Sequence, residues 1–254
     1  MKTENNQLDY LLKFFKVQKP WDVTWVHKAN DLERFSRYST SSNVMMMEGD
    51  IMLSKNGKEV IMAHPLETAS DLTFEKWFST LIENKKGAKL DFKTHHAIIP
   101  AFEIMQSIKD ISIPIFINAD IIEGPGGKIS FFETEEFISL SKKYFPKATL
   151  SIGWTTSTLD EKFTSEMIER GIEAASKWEG HVNFAIRSSL IIKSWKAIKK
   201  IFDNPNYTIT VWNSSNHWDE IFGSGELSKW IKDNVDRDKT FYDIIDSEEK
   251  PVRL

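Results

Sequence analysis

The chain has 254 residues, 41% of them hydrophobic and 28% charged, with 17 Phe and 9 Trp available to fill a large core. Its net charge is −4 and its basic residues are dispersed, so there is no electrostatic footprint for nucleic acid. The lack of cysteine excludes disulfides, thiolate metal sites and a cysteine nucleophile.

The start, Met1 to Gln7, is polar and lacks the apolar core of a secretory signal. No later apolar run approaches the roughly 18 residues of a membrane span. The expectation is a soluble, cytoplasmic protein of undetermined oligomeric state. Leu8, Leu11, Leu12, Phe14 and Phe15 then form an apolar stripe with lysines opposite, which predicts a short N-terminal helix. Such a helix either caps the bottom of the fold or lies on a membrane surface, and the second use would want a larger apolar face or more positive charge.

Eight β-rich runs follow: Val23–His27, Val44–Leu53, Ala88–Phe92, Ile113–Ala119, Thr149–Trp154, Val182–Arg187, Tyr207–Trp212 and Thr240–Ile245. A shorter strand-like run, Glu59 to Ala63, leads to His64. Between the strands lie segments of helical period, such as Phe74, Trp77, Phe78, Leu81 and Ile82, or Phe163, Met167, Ile168, Ile172 and Ala175. Strands alternating with helices, apolar on both faces and without a flexible linker, predict an α/β fold: a single, closed (β/α)8 TIM-type barrel spanning residues 1–254. Residues 1–20 form its helix and lead-in, and 247–254 a disordered tail. The alternative is an open doubly wound sheet, which would want a Gly-rich loop after the first strand; Val26-His27-Lys28-Ala29-Asn30 is not one.

Barrel sites gather at the carboxyl ends of the strands. The first strand ends in His27. The second is apolar except for Glu48 and Asp50, which strand period places on one face. The third puts Lys89, Asp91 and Lys93 on one face. The fourth ends in Asn118 and Asp120, the fifth in Trp154, the sixth in Arg187, the seventh in Trp212 and Asn213. Charged groups within apolar strands are costly unless paired or bound to metal.

Glu48, Asp50 and Asp91 supply three hard oxygen donors, suited to a divalent cation, Mg²⁺ or Ca²⁺, rather than zinc. The competing arrangement is neutralisation of the carboxylates by Lys89 or Lys93 with no metal. His27 and His64 are the acid/base candidates: one would accept a proton from a nucleophile, the other would protonate a leaving oxygen. Lys93 and the metal would hold phosphoryl oxygens. Asn30, Asn118, Asp120, Trp154, Arg187, Trp212 and Asn213 are the candidate substrate contacts. Among the remaining histidines, His95 and His96 are expected to be solvated, His181 to be structural at the barrel bottom, and His217 to lie in the loop after the seventh strand, with lining of a substrate mouth as the lesser alternative. The stretch Gly124-Pro125-Gly126-Gly127 reads as a turn rather than a phosphate cradle.

Taken together, His27, Glu48-Gly49-Asp50, His64, Asp91-Phe92-Lys93 and Val211-Trp212-Asn213 resemble the superfamily of glycerophosphodiester phosphodiesterases and phospholipase-D-like toxins. Several segments, among them Thr24-Trp25-Val26-His27-Lys28-Ala29-Asn30, Ile61-Met62-Ala63-His64-Pro65, Lys89-Leu90-Asp91-Phe92-Lys93 and Ser151-Ile152-Gly153-Trp154-Thr155-Thr156, more closely resemble the menorin family. The resemblance spans nearly the whole chain and implies a metal-dependent barrel with Glu48, Asp50 and Asp91 as ligands and His27 and His64 as acid and base. It departs from the superfamily where His27 is followed by Lys-Ala-Asn rather than Arg-Gly, and His64 by Pro rather than Asp.

The leading expectation is a phosphoric diester hydrolase or lyase acting on a small-molecule or lipid-headgroup phosphodiester. The alternatives are a catalytically silent barrel that binds a phosphorylated ligand or protein partner, and a carbohydrate-active barrel using paired carboxylates.

Overall fold

The structure is a computed structural model that describes residues 7–67, 69–127, 129–156, 161–213, 225–246, 248 and 250–252. Ten strands form one sheet: β1 Trp25–Val26, β2 Met46–Leu53, β3 Val60–Met62, β4 Gly87–Phe92, β5 Ile115–Glu123, β6 Thr149–Thr155, β7 Val182–Arg187, β8 Tyr207–Trp212, β9 Thr240–Ile245 and β10 Pro251–Val252. The helices are α1 Gln7–Phe15, α2 Leu32–Ser39, α3 Phe74–Glu83, α4 Ile98–Ser107, α5 Thr134–Tyr144, α6 Ser165–Ala175, α7 Ser188–Ile198 and α8 Glu226–Asn234. Their starts follow ordinary capping chemistry: Asp31, Thr73 and Thr164 accept the backbone N–H of Arg34, Lys76 and Met167.

The eight runs expected from sequence are the eight parallel strands, adjacent in the order β1-β2-β4-β5-β6-β7-β8-β9. β3 pairs antiparallel with the end of β2, Ile51 opposite Met62. The barrel is nearly closed rather than closed. Among the described residues no ladder joins β1 to β9; β1 is only two residues long, and side chains span the seam. Trp25 packs edge-on to Phe241 at 5.7 Å, and above them His27 Nδ1 meets Asp243 Oδ2 at 2.9 Å.

Several strand ends differ from expectation by one or two residues, β1 among them, and two differences have a clear physical reason. β5 continues to Glu123 through a register shift between Asp120 and Ile122, a bulge that polar Asp120 hid at the sequence level. The tail expected to be disordered turns back: the Asp246 side chain accepts the N–H groups of Glu248 and Lys250, both at 2.8 Å, and β10 pairs with Ile244 and Ile245.

The barrel interior is layered. Trp25, Met46, Phe116 and Phe241 form an apolar floor, closed from below by Leu11 with Leu8, Leu12 and Phe15 of α1. The amphipathic stripe of α1 therefore caps the barrel. Above the floor, on the β5–β8 side, runs a hydrogen-bonded polar layer. Ser151 donates to Asn118 at 2.6 Å, Thr210 donates to Asn183 at 2.8 Å, and Asn183 donates to Thr208 at 3.0 Å. His181 lies between Thr149 and Thr208, and burial pushes its pKa down to about 3, so it is neutral and structural. The outer side of the sheet packs against the helices in one large apolar cluster. Among the described residues, nothing covers the top of the barrel.

Candidate active site

The open end is a cleft of about 410 Å³ lined by His27, Lys28, Asp50, His64, Lys89, Asp91, Lys93, Asn118, Asp120, Thr156, Ala185, Arg187, Trp212 and Ile245. Strand period places its carboxylates inside. Glu48 and Asp50 alternate with Gly49 on β2, and the ladder sets Asp50 beside Asp91 and Asp91 beside Asn118.

The chain turns sharply after β1. Lys28 takes a left-handed φ of 54° that aims its N–H at Glu48 Oε2, 2.6 Å away. His27 Nδ1 lies 2.9 Å from Asp243 Oδ2 and 3.3 Å from Glu48 Oε2. Its ring stacks on Trp212, with an interplanar angle of 11° and centroids 6.2 Å apart, and the Arg187 guanidinium lies over the far ring at 5.9 Å. Burial alone would lower the His27 pKa. The carboxylates of Asp243 and Glu48 outweigh it and raise the pKa to about 9, so the imidazole is cationic at neutral pH. His64, on the turn after β3, reaches the rim of the same cleft.

Glu48, Asp50 and Asp91 each offer an oxygen within 4.8 Å of the others'. Asn30 orients Asp50 from both sides: its Nδ2 donates to Asp50 Oδ2 at 2.6 Å, and its Oδ1 accepts the Asp50 N–H at 2.8 Å. Asp91 accepts from Asn118 at 2.8 Å and from Lys93 at 2.6 Å; Lys93 also lies 3.1 Å from Asp50 Oδ1. Burial raises the pKa of Asp50, but Lys93 and the Asn30 hydrogen bond outweigh it and the net shift is downward. Glu48 moves the other way, to about 7: burial and the neighbouring Asp50 and Asp91 exceed the help it gets from His27. Asp120 also rises to about 7, chiefly by burial. Gly153 makes room for it, since a Cβ there would come within 2.1 Å of Asp120 Oδ1.

This donor set fits a hard divalent cation. Three carboxylates converge, no softer ligand competes, and their crowding raises the pKa of Glu48 in the absence of further positive charge. A second group, His27, Glu48 and Asp243, also lies within 4.8 Å, but there the protonated His27 supplies the positive charge.

Not every expected residue reaches the cleft. Trp154 points outward to the helices: it is buried, packs on Phe163 and Phe184, and donates from Nε1 to the Met167 carbonyl at 3.1 Å. Asn213 is buried and ties β8 to β9, donating to the Ile245 carbonyl and accepting the Ile245 N–H, both at 2.8 Å. Asn30 acts on Asp50 from behind rather than from the cleft wall. His95 forms a 3.6 Å contact with Glu136 and His96 is exposed, both away from the cleft. Gly124–Gly127 is a turn, with the Gly127 N–H on the Gly124 carbonyl. His217 lies outside the described residues. Three charged residues of the site were not singled out from sequence. One is Asp243, a lone carboxylate in an apolar strand that carried the same signal as Asp50. The others are Lys28, after the end of β1, and Lys89 as a cleft residue rather than a counter-ion.

Comparison with known proteins gives three kinds of match. The profile of the Menorin N-terminal domain matches residues 20–249. The human protein FAM151B is 30% identical over 252 residues, covering 95% of this chain and 90% of its own length. Among solved structures, an Oleispira antarctica phosphodiesterase in complex with the product sn-glycerol-3-phosphate superimposes with a TM-score of 0.57 at 12% identity, covering 89% of this chain and 96% of that one. A glycerophosphodiester phosphodiesterase from Thermotoga maritima superimposes with a TM-score of 0.54 at 14% identity, covering 87% and 94%. At such identities these structures share the barrel fold with this chain.

Proposed function

The chain belongs to the menorin family, and from that premise we propose that it is a metal-dependent phosphodiesterase acting on a glycerophosphodiester or a phospholipid headgroup. The observation that carries this reading is the convergence, on one cleft, of three carboxylates within 4.8 Å, a lysine between two of them and two imidazoles. In this reading the whole chain is one barrel domain.

Charge supports the substrate class. The cleft and its walls hold Glu48, Asp50, Asp91, Asp120 and Asp243 against Lys28, Lys89, Lys93, Arg187 and a protonated His27. With every carboxylate ionised the charges of the two signs balance. A divalent cation then leaves the cleft positive, a potential that favours an anionic phosphodiester.

Glu48, Asp50 and Asp91 would hold the cation, which when bound stabilises negative charge on the phosphoryl oxygens as a Lewis acid. His27, kept cationic by Asp243, donates a proton to the leaving oxygen. His64, at the rim, accepts one from the nucleophile, whether water or a substrate hydroxyl that closes a cyclic phosphate. Lys93, Asn118 and Arg187 are placed to contact the phosphoryl group, and Trp212 to wall the headgroup.

Carbohydrate chemistry is less well served, because Lys93 lies among the carboxylates, 2.6 Å from Asp91 and 3.1 Å from Asp50, and two imidazoles share the cleft. A silent phosphate-binding barrel remains the second reading. It draws on Lys93, which already neutralises Asp50 and Asp91 without a cation.

The test is hydrolysis of bis(p-nitrophenyl) phosphate and a panel of glycerophosphodiesters with Mg²⁺, Mn²⁺ or Ca²⁺ and with EDTA, in wild type, His27→Ala and Asp50→Ala. Cation-dependent turnover lost in both variants is expected. Stabilisation by the cation with no turnover on any substrate would select the binding protein.

A further inference from the structure

β4 presents Lys89 and Asp91 on its inner face, Lys93 follows one residue past its end, and the two lysines are in different states. Lys93 is engaged, with Asp91 and Asp50 both at ion-pairing distance. Lys89 is only 3% exposed and lines the cleft, yet among the described residues its ammonium makes no hydrogen bond and no ion pair.

A buried ammonium without an acceptor is costly, and a folded protein keeps one chiefly where a ligand supplies the missing oxygen. The surroundings of Lys89 say where that oxygen must come from. In register it sits between Glu48 of β2 and Phe116 of β5, one step below Asp50 and Asp91. Beneath it the barrel is sealed by Met46, Trp25 and Phe116. Its charge is felt by His27 and Asp243 on one side and Asp120 on the other, but none of these bonds to it. Among the described residues, the polar space open to it is the cleft above, which it lines.

We propose that Lys89 is the floor of an oxyanion subsite, distinct from the carboxylate triad, that binds a phosphoryl or carboxylate oxygen of the molecule filling the cleft. The identity of that molecule as a phosphodiester rests on the function proposed above; the subsite does not. Arg187, at the opposite end of β7 from the floor, lines the same cleft and adds to its positive potential.

The experiment has two arms. In the first, inorganic phosphate and sn-glycerol-3-phosphate are titrated by calorimetry into wild type, Lys89→Met and Lys89→Arg, in EDTA and again with Ca²⁺, each variant being checked for cooperative melting. Binding by wild type, weakened at least tenfold in Lys89→Met and largely kept in Lys89→Arg, is expected. Equal binding by wild type and Lys89→Met, or no binding by wild type in either condition, overturns the subsite.

In the second arm, KM and kcat are measured for glycerophosphocholine and for glycerophosphoserine, which adds a carboxylate. A KM raised for both by Lys89→Met identifies the diester's own oxygen as the ligand; a KM raised only for glycerophosphoserine identifies an added anion. An unchanged KM for both overturns the proposal. Lys89-dependent phosphate binding in a protein that turns over nothing would remove the hydrolytic reading and leave the subsite standing.

Discussion

His27 owes its properties to a residue 216 positions away. Asp243 is buried, and its Oδ2 faces His27 while its Oδ1 has no hydrogen-bond partner among the described residues, so the imidazolium is its principal compensation. Asp243→Asn removes the charge and keeps the shape. The His27 pKa should then fall from about 9 by about one to three units, read directly from the imidazole resonances in an NMR titration. If His27 is the general acid, the basic limb of the pH–rate profile moves down by the same amount, and turnover at pH 8 drops about twofold for a fall of one unit and about a hundredfold for a fall of three. An unmoved His27 titration would show that Glu48 alone sustains its charge. At this scale the sequence was informative about kinds of residue. Glu48, Asp50 and Asp91 are conspicuous as carboxylates within apolar strands, and so is Asp243. That Asp243 belongs to His27 depends on the seam between β1 and β9, which local pattern does not express.

Among the elements, three pairings decide which polar and aromatic groups serve the site and which serve the scaffold. Asn213 follows β8 with its amide facing β9, where it satisfies both the N–H and the carbonyl of buried Ile245. Asn213→Ala leaves two backbone groups unpaired and should cost about 1–3 kcal/mol for each, seen as a lowered denaturant midpoint with the cleft residues untouched. Trp154 is directed outward, and α6 accommodates it at Gly171, where a Cβ would come within 2.5 Å of the indole. Aromatic residues at strand ends fit the cleft wall or the helix layer equally well, and the sequence alone does not say which; Trp212 took one place and Trp154 the other. α1 was legible as amphipathic, and the floor of Trp25, Met46, Phe116 and Phe241 gave its stripe a home. Leu11→Ala should therefore destabilise the whole barrel by about 2–5 kcal/mol in thermal or denaturant unfolding. A helix lying free on a membrane surface would make the same substitution nearly neutral for stability.

For the molecule as a whole, the clustered charges tie stability to pH and to cation. Glu48 and Asp120 have folded-state pKa values raised to about 7, so they hold protons that the unfolded chain releases near pH 4. Their stabilisation is complete at low pH and is lost as pH rises through 7. His27, raised to about 9, contributes below about 6.5 and loses that contribution as pH climbs to 9. Asp50 and Asp243 are lowered, and their contribution is intact throughout this range. Protein in EDTA should consequently melt lower at pH 8.5 than at pH 5.5, by roughly 5–10 °C for a loss of a few kcal/mol. A divalent cation should restore much of that difference. It should raise Tm more at pH 8.5 than at pH 5.5, because at the lower pH it must displace the Glu48 proton. Equal cation effects at both pH values would place the ion elsewhere than on Glu48.

Hydrophobic period and strand parity determined much of this protein. The eight parallel strands, the amphipathic α3 and α6, and the inward face of β2 and β4 follow from where apolar residues recur, because burial on both sides of a strand leaves a local trace. The tertiary structure decided what local pattern cannot carry. It paired His27 with Asp243 across the seam, turned Trp154 out and Trp212 in, gave Lys93 two carboxylate partners and, among the described residues, left Lys89 with none. Each depends on which strands adjoin and how far one is staggered past the next, and those are fixed only when the sheet curls around its core.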